Sequence, residues 1–258
     1  MMMMIPFSPV ELGIEGKVAI VTGASRGLGL AAAAALAGEG VMVLAAARST
    51  GGIEELARVH AGGVVGRSYD ARDPESGAGL VEAAVAEFGG LDILVNNAGI
   101  APASPFLEDS LDTWRDALAV NVLAPVALTQ AAGPHLIEQG GGKVINIASL
   151  VGLRGKAHLG AYSASKGALI RFTEALAIEW ARHDIQVNAI APGAFATEAQ
   201  SQVLEDPELN RRRIAKVPAK RFAEPSEMSG LVLYLASPVS RFVTGATYAI
   251  DGGELAKL

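Results

Sequence analysis

The sequence predicts an α/β fold: a single doubly wound parallel sheet of about seven strands with helices on both faces. Three observations carry this. Short β-branched runs, apolar on both faces, alternate with longer helical stretches, the pattern of a parallel sheet covered on both sides. Thirty glycines and an aromatic content of 5% suit many tight strand-to-helix turns better than a β-sandwich. A length of 258 residues, half of them hydrophobic and 19% charged, is enough for one large core and short for two full domains.

The elements follow in order. VAIVT (18–22) reads as a buried first strand, then a glycine turn and an alanine-rich helix to about Glu39. VMVLAA (41–46) is the second strand and VVGRSY (64–69) the third, followed by a helix from about Pro74 to Phe88. LDILVN (91–96) is the fourth strand, leading to a long helical region over 111–138. KVINIAS (143–149) is the fifth, before a strong helix over 160–182. IQVNAIA (185–191) and TYAID (247–251) complete the set. Residues 16–258 read as one domain without internal repeat or linker, and residues 1–15 as an N-terminal extension. The charged stretch 194–225, containing Arg211-Arg212-Arg213, reads as an insertion over the site, a substrate lid.

Composition excludes several chemistries. With no cysteine there are no disulfides, Cys-ligated zinc or thiol nucleophiles, and no other metal set is evident. A net charge of −6 argues against a nucleic-acid partner, which needs a basic face. The start, MMMMIPF, has neither the basic region nor the apolar stretch of a signal peptide, and no segment reaches the roughly 18 uninterrupted apolar residues of a membrane span. A cytoplasmic protein without membrane contact is expected.

The chemistry-bearing residues fall at the carboxyl ends of the expected strands, where doubly wound sheets bind ligands. TGASRGLG (22–29) follows the first strand and opens a helix. Gly23 offers a backbone angle closed to other residues, Gly27 lets the main chain approach a phosphate, and Gly29 permits close helix packing. Amides at the helix start favour an anion. The spacing is G-x-x-x-G-x-G rather than G-x-G-x-x-G, so alone it is also compatible with a plain glycine turn. The second strand ends Ala45-Ala46-Ala47-Arg48. No carboxylate is available there for ribose hydroxyls, while Arg48 can fork onto a 2′-phosphate, with Arg26 joining it. This favours NADP over NAD. The alternative for Arg48 is a solvated loop cation.

Ser149 closes the fifth strand, and Tyr162 and Lys166 lie four apart on the next helix, sharing a face. An ammonium beside the phenol is expected to lower its pKa, making Tyr162 a proton donor to a carbonyl or acceptor from an alcohol. Ser149 can hold the same oxygen. A lone Y-x-x-x-K also arises on ordinary surface helices.

These residues, in this order, give the chain a close resemblance to the short-chain dehydrogenase/reductases of about 250 residues. TGASRGLG, Asp70 after the third strand, NNAG (96–99), Asn121, Ser149, YSASK (162–166) and PGAFAT (192–197) cover nearly the whole chain, from about Lys17 to Gly253. The resemblance implies a Rossmann-like sheet and an oxidoreductase that interconverts a ketone and a secondary alcohol. It implies a catalytic tetrad of Asn121, Ser149, Tyr162 and Lys166, with Lys166 also holding the nicotinamide ribose. Gly23, Ser25, Arg26, Gly27, Leu28 and Gly29 would face the phosphates. Asp70 and Ala71 would flank the adenine, and Asn97, Ala98 and Gly99 would support the cofactor. Pro192, Gly193, Phe195 and Thr197 would lie in the segment meeting carboxamide and pyrophosphate. It also implies a homo-oligomer, a dimer of dimers, paired through the two long helices.

Pro125, four after Asn121, cannot give an amide hydrogen to that carbonyl and is expected to kink the helix. In the family this carbonyl holds a relay water. A tolerated kink without a role is the alternative. The loop 150–161 lines the substrate pocket by the same resemblance, with Leu150, Val151 and Phe195 as apolar wall. Its Arg154, Lys156 and His158 are candidates to attract an acidic substrate such as a sugar acid; an exposed polar loop is the plainer reading. Other readings are an NAD-dependent sugar, sugar-acid or polyol dehydrogenase and a cofactor-binding scaffold without catalysis. The complete tetrad argues against the scaffold. Enoyl reductases space the Tyr and Lys differently and sugar epimerases run longer. Carrier-protein ketoacyl reductases also resemble the chain, but Ile178 stands where they commonly place a docking arginine.

Overall fold

The structure, a computed structural model, describes residues 11–73 and 76–257. The apolar runs form strands β1 (Val18–Thr22), β2 (Met42–Ala47), β3 (Val64–Ser68), β4 (Ile93–Asn96), β5 (Gly142–Ile147), β6 (Ile185–Pro192) and β7 (Thr247–Ile250). They pair in parallel in the order β3-β2-β1-β4-β5-β6-β7. Strand order reverses beside β1, opening a crevice at the carboxyl edge between β1 and β4, the switch point that doubly wound sheets use for ligands.

Alternation within each strand feeds two cores. Ala19 and Val21 face one side, with Val43, Ala45, Ile93 and Val95; helices α1 (Gly27–Gly38), α2 (Gly51–Val59) and α10 (Ser229–Ala236) cover it through Leu36, Ile53 and Val232. Val18 and Ile20 face the other, with Leu44, Leu94, Val144 and Val187. There α3 (Ser76–Phe88), α5 (Ala124–Glu138) and α7 (Gly160–Trp180) close over it through Leu80, Leu128 and Ala177. Burial on both faces is why these strands read as continuous apolar runs.

Several elements differ from expectation. The nine-residue α2 was not foreseen; its glycine start hides a strongly amphipathic turn built on Ile53 and Leu56. The stretch 111–138 is not one kinked helix. It comprises α4 (Leu111–Leu118), a π-helical turn (Ala119–Leu123) and α5. Ala124 donates to Ala119, five residues back, and Pro125 then supplies no donor, so the wide turn ends there. This run is, by length and composition, apolar enough to cross a membrane, although no such candidate was expected. Half of its apolar window is buried within the fold, as for a core-packing helix. The segment 194–225 contains the short helices α8 (Ser201–Glu205) and α9 (Pro207–Ile214). A four-residue turn of helix, α6 (Leu150–Leu153), follows β5.

Part of the expected N-terminal extension belongs to the core. Ile14 is 2% exposed and packs in the α1/α10 layer, while Gly16 donates to the Gly40 carbonyl at 2.9 Å. Residues 1–10 lie outside the described residues. Removing a fully buried aliphatic side chain costs the transfer energy plus the cavity left behind. Ile14→Ala is therefore expected to lower unfolding free energy by about 2–4 kcal/mol in urea titration. A change within ~0.5 kcal/mol, the usual range for surface positions, would show that this segment does not pack.

Candidate active site

The glycine turn is knotted to β4. The Thr22 hydroxyl accepts from the Asn97 and Ala98 amides at 3.0 and 3.1 Å, and Asn97 Nδ2 donates to the Thr22 and Gly23 carbonyls at 2.9 and 3.2 Å. Gly23 sits at φ +65°, and a Cβ there would lie 2.8 Å from Asn97 Nδ2 and 2.9 Å from Ala98 Cα. At Gly29 a Cβ would come within 2.3 Å of both the Gly23 carbonyl and Asn97 Nδ2. Both glycines are thus required by close backbone approach, which brings the first turn of α1 onto the crevice. The sequence motif assigns Thr22 no role of its own, yet its hydroxyl joins the two loops.

Arg48 is exposed at the end of β2 and forms no hydrogen bond or ion pair among the described residues. Arg26 is engaged: its Nη1 meets Glu198 Oε2 at 2.9 Å, linking the glycine turn to the segment after β6. Asp70 is exposed beyond β3, one carboxylate oxygen accepting from the Arg72 amide at 3.0 Å, and Ala71 is buried beside it.

At β5, Ser149 caps α6, its hydroxyl accepting weakly from the Val151 amide at 3.4 Å. Asn121, in the π-helical turn, is 0% exposed. Its Oδ1 accepts from the Ile100 amide at 2.9 Å, and its Nδ2 donates to the Ile100 carbonyl at 2.8 Å and Ser165 Oγ at 2.9 Å. Ser165 Oγ in turn donates to the Tyr162 carbonyl at 2.8 Å. Lys166 is 4% exposed and its Nζ donates to the Ile147 carbonyl at 2.7 Å. A Cβ on Gly99 would lie 3.1 Å from Asn121 Oδ1 and 3.4 Å from Lys166 Nζ, which places both polar heads directly beneath that glycine.

The expected lowering of the Tyr162 pKa is not found. Burial raises the phenol above its ordinary value, and the Ser149 hydroxyl opposes this only in part. Lys166 is itself pushed down to about 8 by burial. Exclusion of water outweighs the Ser149 hydrogen bond, so Tyr162 holds its proton more tightly than a free tyrosine.

One cleft of about 970 Å³ runs along the carboxyl edge. Every residue expected to touch the cofactor lines it, as do Ser149, Tyr162 and Lys166. Asn121 does not, lying behind Gly99. Helix-start amides at a glycine turn, an arginine at the end of β2 and a Tyr–Lys pair after β5 fit a nicotinamide dinucleotide laid across the edge. Of the three loop cations, only Lys156 lines the cleft. Arg154 turns to the Lys257 carbonyl at 3.3 Å, and His158, exposed at φ +66°, lies outside. Gln202, Arg213 and Glu254 also line the cleft and were not foreseen. Arg213 and Glu254 stand 41 residues apart, so no local pattern announces their contact.

Lys166 yields a stability expectation. Its folded pKa is below its unfolded one, so between about 8 and 10.5 the unfolded chain binds more protons and stability rises with pH. At pH 7 the buried ammonium costs about 3 kcal/mol net, and replacing it leaves the buried Ile147 carbonyl unpaired, which takes back roughly 1–2 kcal/mol. Lys166→Met is expected to unfold at higher urea at pH 7, by about 1–2 kcal/mol. That margin should shrink as pH rises through the window from about 8 to 10.5. A variant less stable than the parent at both pH 7 and pH 10 would contradict this.

A family model described as enoyl-(acyl carrier protein) reductase matches residues 23–254. The 2-dehydro-3-deoxy-D-gluconate 5-dehydrogenase of Escherichia coli strain K12 is 40% identical over 252 residues, covering 95% of this chain and 97% of its own. A 3-oxoacyl-(acyl-carrier-protein) reductase of Vibrio cholerae is 36% identical over 242 residues, 94% of this chain and 98% of its own. Among solved structures, a putative NAD(P)-dependent gluconate 5-dehydrogenase from Beutenbergia cavernae, with NADP bound at low occupancy, superposes with a TM-score of 0.89. It is 37% identical, covering 95% of this chain and 99% of that one. With its parallel sheet, glycine turn and Tyr–Lys helix, the chain belongs to the short-chain dehydrogenase/reductase family, as a nicotinamide-dependent oxidoreductase acting on CH–OH groups.

Proposed function

We propose that this oxidoreductase interconverts a ketone and a secondary alcohol with NADP(H) in preference to NAD(H), using Tyr162 as acid/base. The observation that carries it is the joint lining of one cleft by Ser149, Tyr162 and Lys166 at one end and the unpaired Arg48 at the other. When bound, the nicotinamide supplies or takes up the hydride exchanged with the carbonyl carbon. Ser149 donates a hydrogen bond to the carbonyl oxygen and fixes its place. Tyr162 gives its proton to that oxygen on reduction and withdraws it on oxidation. Burial keeps the phenol protonated through the neutral range, so Tyr162 is in the donor form for reduction. Lys166 holds the nicotinamide ribose with the donors left after its bond to Ile147, and passes protons on to solvent. The Asn121 carbonyl, denied an i+4 donor by Pro125, takes the outer position in that relay.

The NADP preference rests on Arg48. Strand β2 ends without a carboxylate, and the guanidinium has no partner among the described residues. Arg26 is a weaker candidate, since a 2′-phosphate must displace Glu198 from it. The Beutenbergia relative holds NADP. Relatives named for gluconates favour a second reading of the substrate, a polyhydroxy acid rather than an acyl chain.

Residues 16–258, together with the segment around Ile14 that packs into their core, act as one catalytic domain with 194–225 as its lid. Leu111, Leu118, Leu123 and Ile178 are 72%, 38%, 58% and 82% exposed on the long helices, which supports pairing there with a second copy. The fully exposed Phe242 near the C-terminal segment supports a second contact and a dimer of dimers. A cysteine-free chain suits the reducing cytoplasm.

Two measurements test the reading. Tyr162→Phe should lower kcat for ketone reduction, followed at 340 nm, by about 10³-fold while NADPH still binds; normal turnover overturns the mechanism. Arg48→Ala should weaken NADPH binding by about 10- to 100-fold and NADH binding far less. Tighter binding of NADH than NADPH by the parent protein would refute the cofactor assignment.

A further inference from the structure

The substrate end of the cleft has an unusual charge arrangement. Strand order sets it apart from the Arg48 end, since Lys156 follows β5 and Glu254 follows β7, across the sheet from β2. Arg213, on α9, and Glu254 form a two-pronged ion pair at 2.9 and 2.8 Å, with side chains only 17% and 24% exposed. Both terminal guanidinium nitrogens of Arg213 are thereby committed. Lys156 lines the same wall, and its ammonium has no hydrogen bond or ion pair among the described residues. Lys156 is exposed at its outer side, and partial burial lowers its pKa first, the Arg213 and Lys216 charges lower it further, and Glu254 alone opposes them. The cluster therefore carries positive charge that the protein leaves unbalanced, in a cleft that also holds the reacting groups.

A cation held beside other cations is unfavourable until an anion arrives. The neighbouring groups say which anion. Gln202 and Ser149 supply hydroxyl-compatible partners along the same cleft, and the cluster is separate from the phosphate-facing turn. Resting on the ketone/alcohol reading, we infer that Lys156, backed by the fixed Arg213–Glu254 pair, forms the subsite for the carboxylate of an open-chain polyhydroxy keto acid. Glu254 occupies both terminal nitrogens of Arg213, leaving Lys156 as the cation that lines this end of the cleft without a partner among the described residues, enough for a singly charged group. Arg213 and Glu254 are positioning residues; Lys156 touches the substrate. The subsite disfavours a neutral acyl thioester, which leaves the charge uncompensated.

The test compares 5-keto-D-gluconate with a neutral ketohexose, L-sorbose, as substrates at saturating NADPH. The parent protein should prefer the keto acid. Lys156→Met should lower the keto-acid/ketohexose ratio of kcat/KM by about 30-fold, mainly through KM, as expected for loss of a charged hydrogen bond. Lys156→Arg should restore most of it. Equal losses on both substrates, an unchanged ratio, or a parent protein that prefers the ketohexose would overturn the inference while leaving the ketone/alcohol reaction standing. If neither carbonyl oxidises NADPH, the subsite is wrong. If Tyr162→Phe also matches the parent across a wider panel of ketones, the reaction itself is wrong.

Discussion

Asn121 spends its whole side chain on the protein. Its amide binds both backbone groups of Ile100 and the hydroxyl of Ser165, and Ser165 holds the backbone carbonyl of Tyr162. One buried side chain thus joins the loop after β4, the long helical run and the helix carrying the Tyr–Lys pair. In so buried a site these bonds are costly to lose, because each leaves an unpaired polar group. The π-helical turn at Ala119–Leu123 accompanies this arrangement: the extra residue widens the turn around Asn121, and Pro125 marks where it ends. Gly99 lies over the same spot, where any side chain would press on Asn121 and Lys166.

Lys166 shows what this construction costs. The sheet encloses its ammonium with one backbone carbonyl as partner, and burial takes its pKa to about 8. Tyr162 is raised by the same exclusion of water. Burial thus moves the two groups in opposite directions, Lys166 toward the neutral range and Tyr162 away from it, and strong perturbation of neighbouring groups in a cleft is what marks a reaction centre. Deeper, Asn96 binds Thr129 and Asn146, and Asn146 binds Thr173, tying β4 and β5 to α5 and α7. These contacts fix the two strands whose ends carry Asn97 and Ser149.

Legibility in the sequence followed the range of the interactions. The strands were readable because both faces are buried, leaving unbroken apolar runs. The glycine turn and the Tyr–Lys pair were readable because their chemistry depends on spacing within one turn. Ile14 was missed because a short segment before the first strand has no periodicity of its own, and only packing against the α1/α10 layer reveals it. The direction of the Tyr162 shift was misjudged because sequence shows a charged neighbour but not how far water is excluded. Arg26 looked free because its partner lies 172 residues away. Arg154 and His158 looked equivalent to Lys156 in a loop whose turn directs only one of them into the cleft.

The two ion pairs that bracket the 194–225 segment differ in strength, and the difference has direction. Arg26–Glu198 is 66% and 64% exposed, in the class of surface pairs worth roughly 0–1 kcal/mol. Arg213–Glu254 is forked and three-quarters or more buried, so separating it strands a charge in a poorly solvated wall. The segment is therefore tied loosely to the glycine turn and firmly to the chain after β7. A phosphate can compete with Glu198 for Arg26 at little cost, whereas a substrate anion gains nothing by breaking the second pair and must take its charge from Lys156. The same segment can then yield at its cofactor edge while its substrate edge keeps its shape.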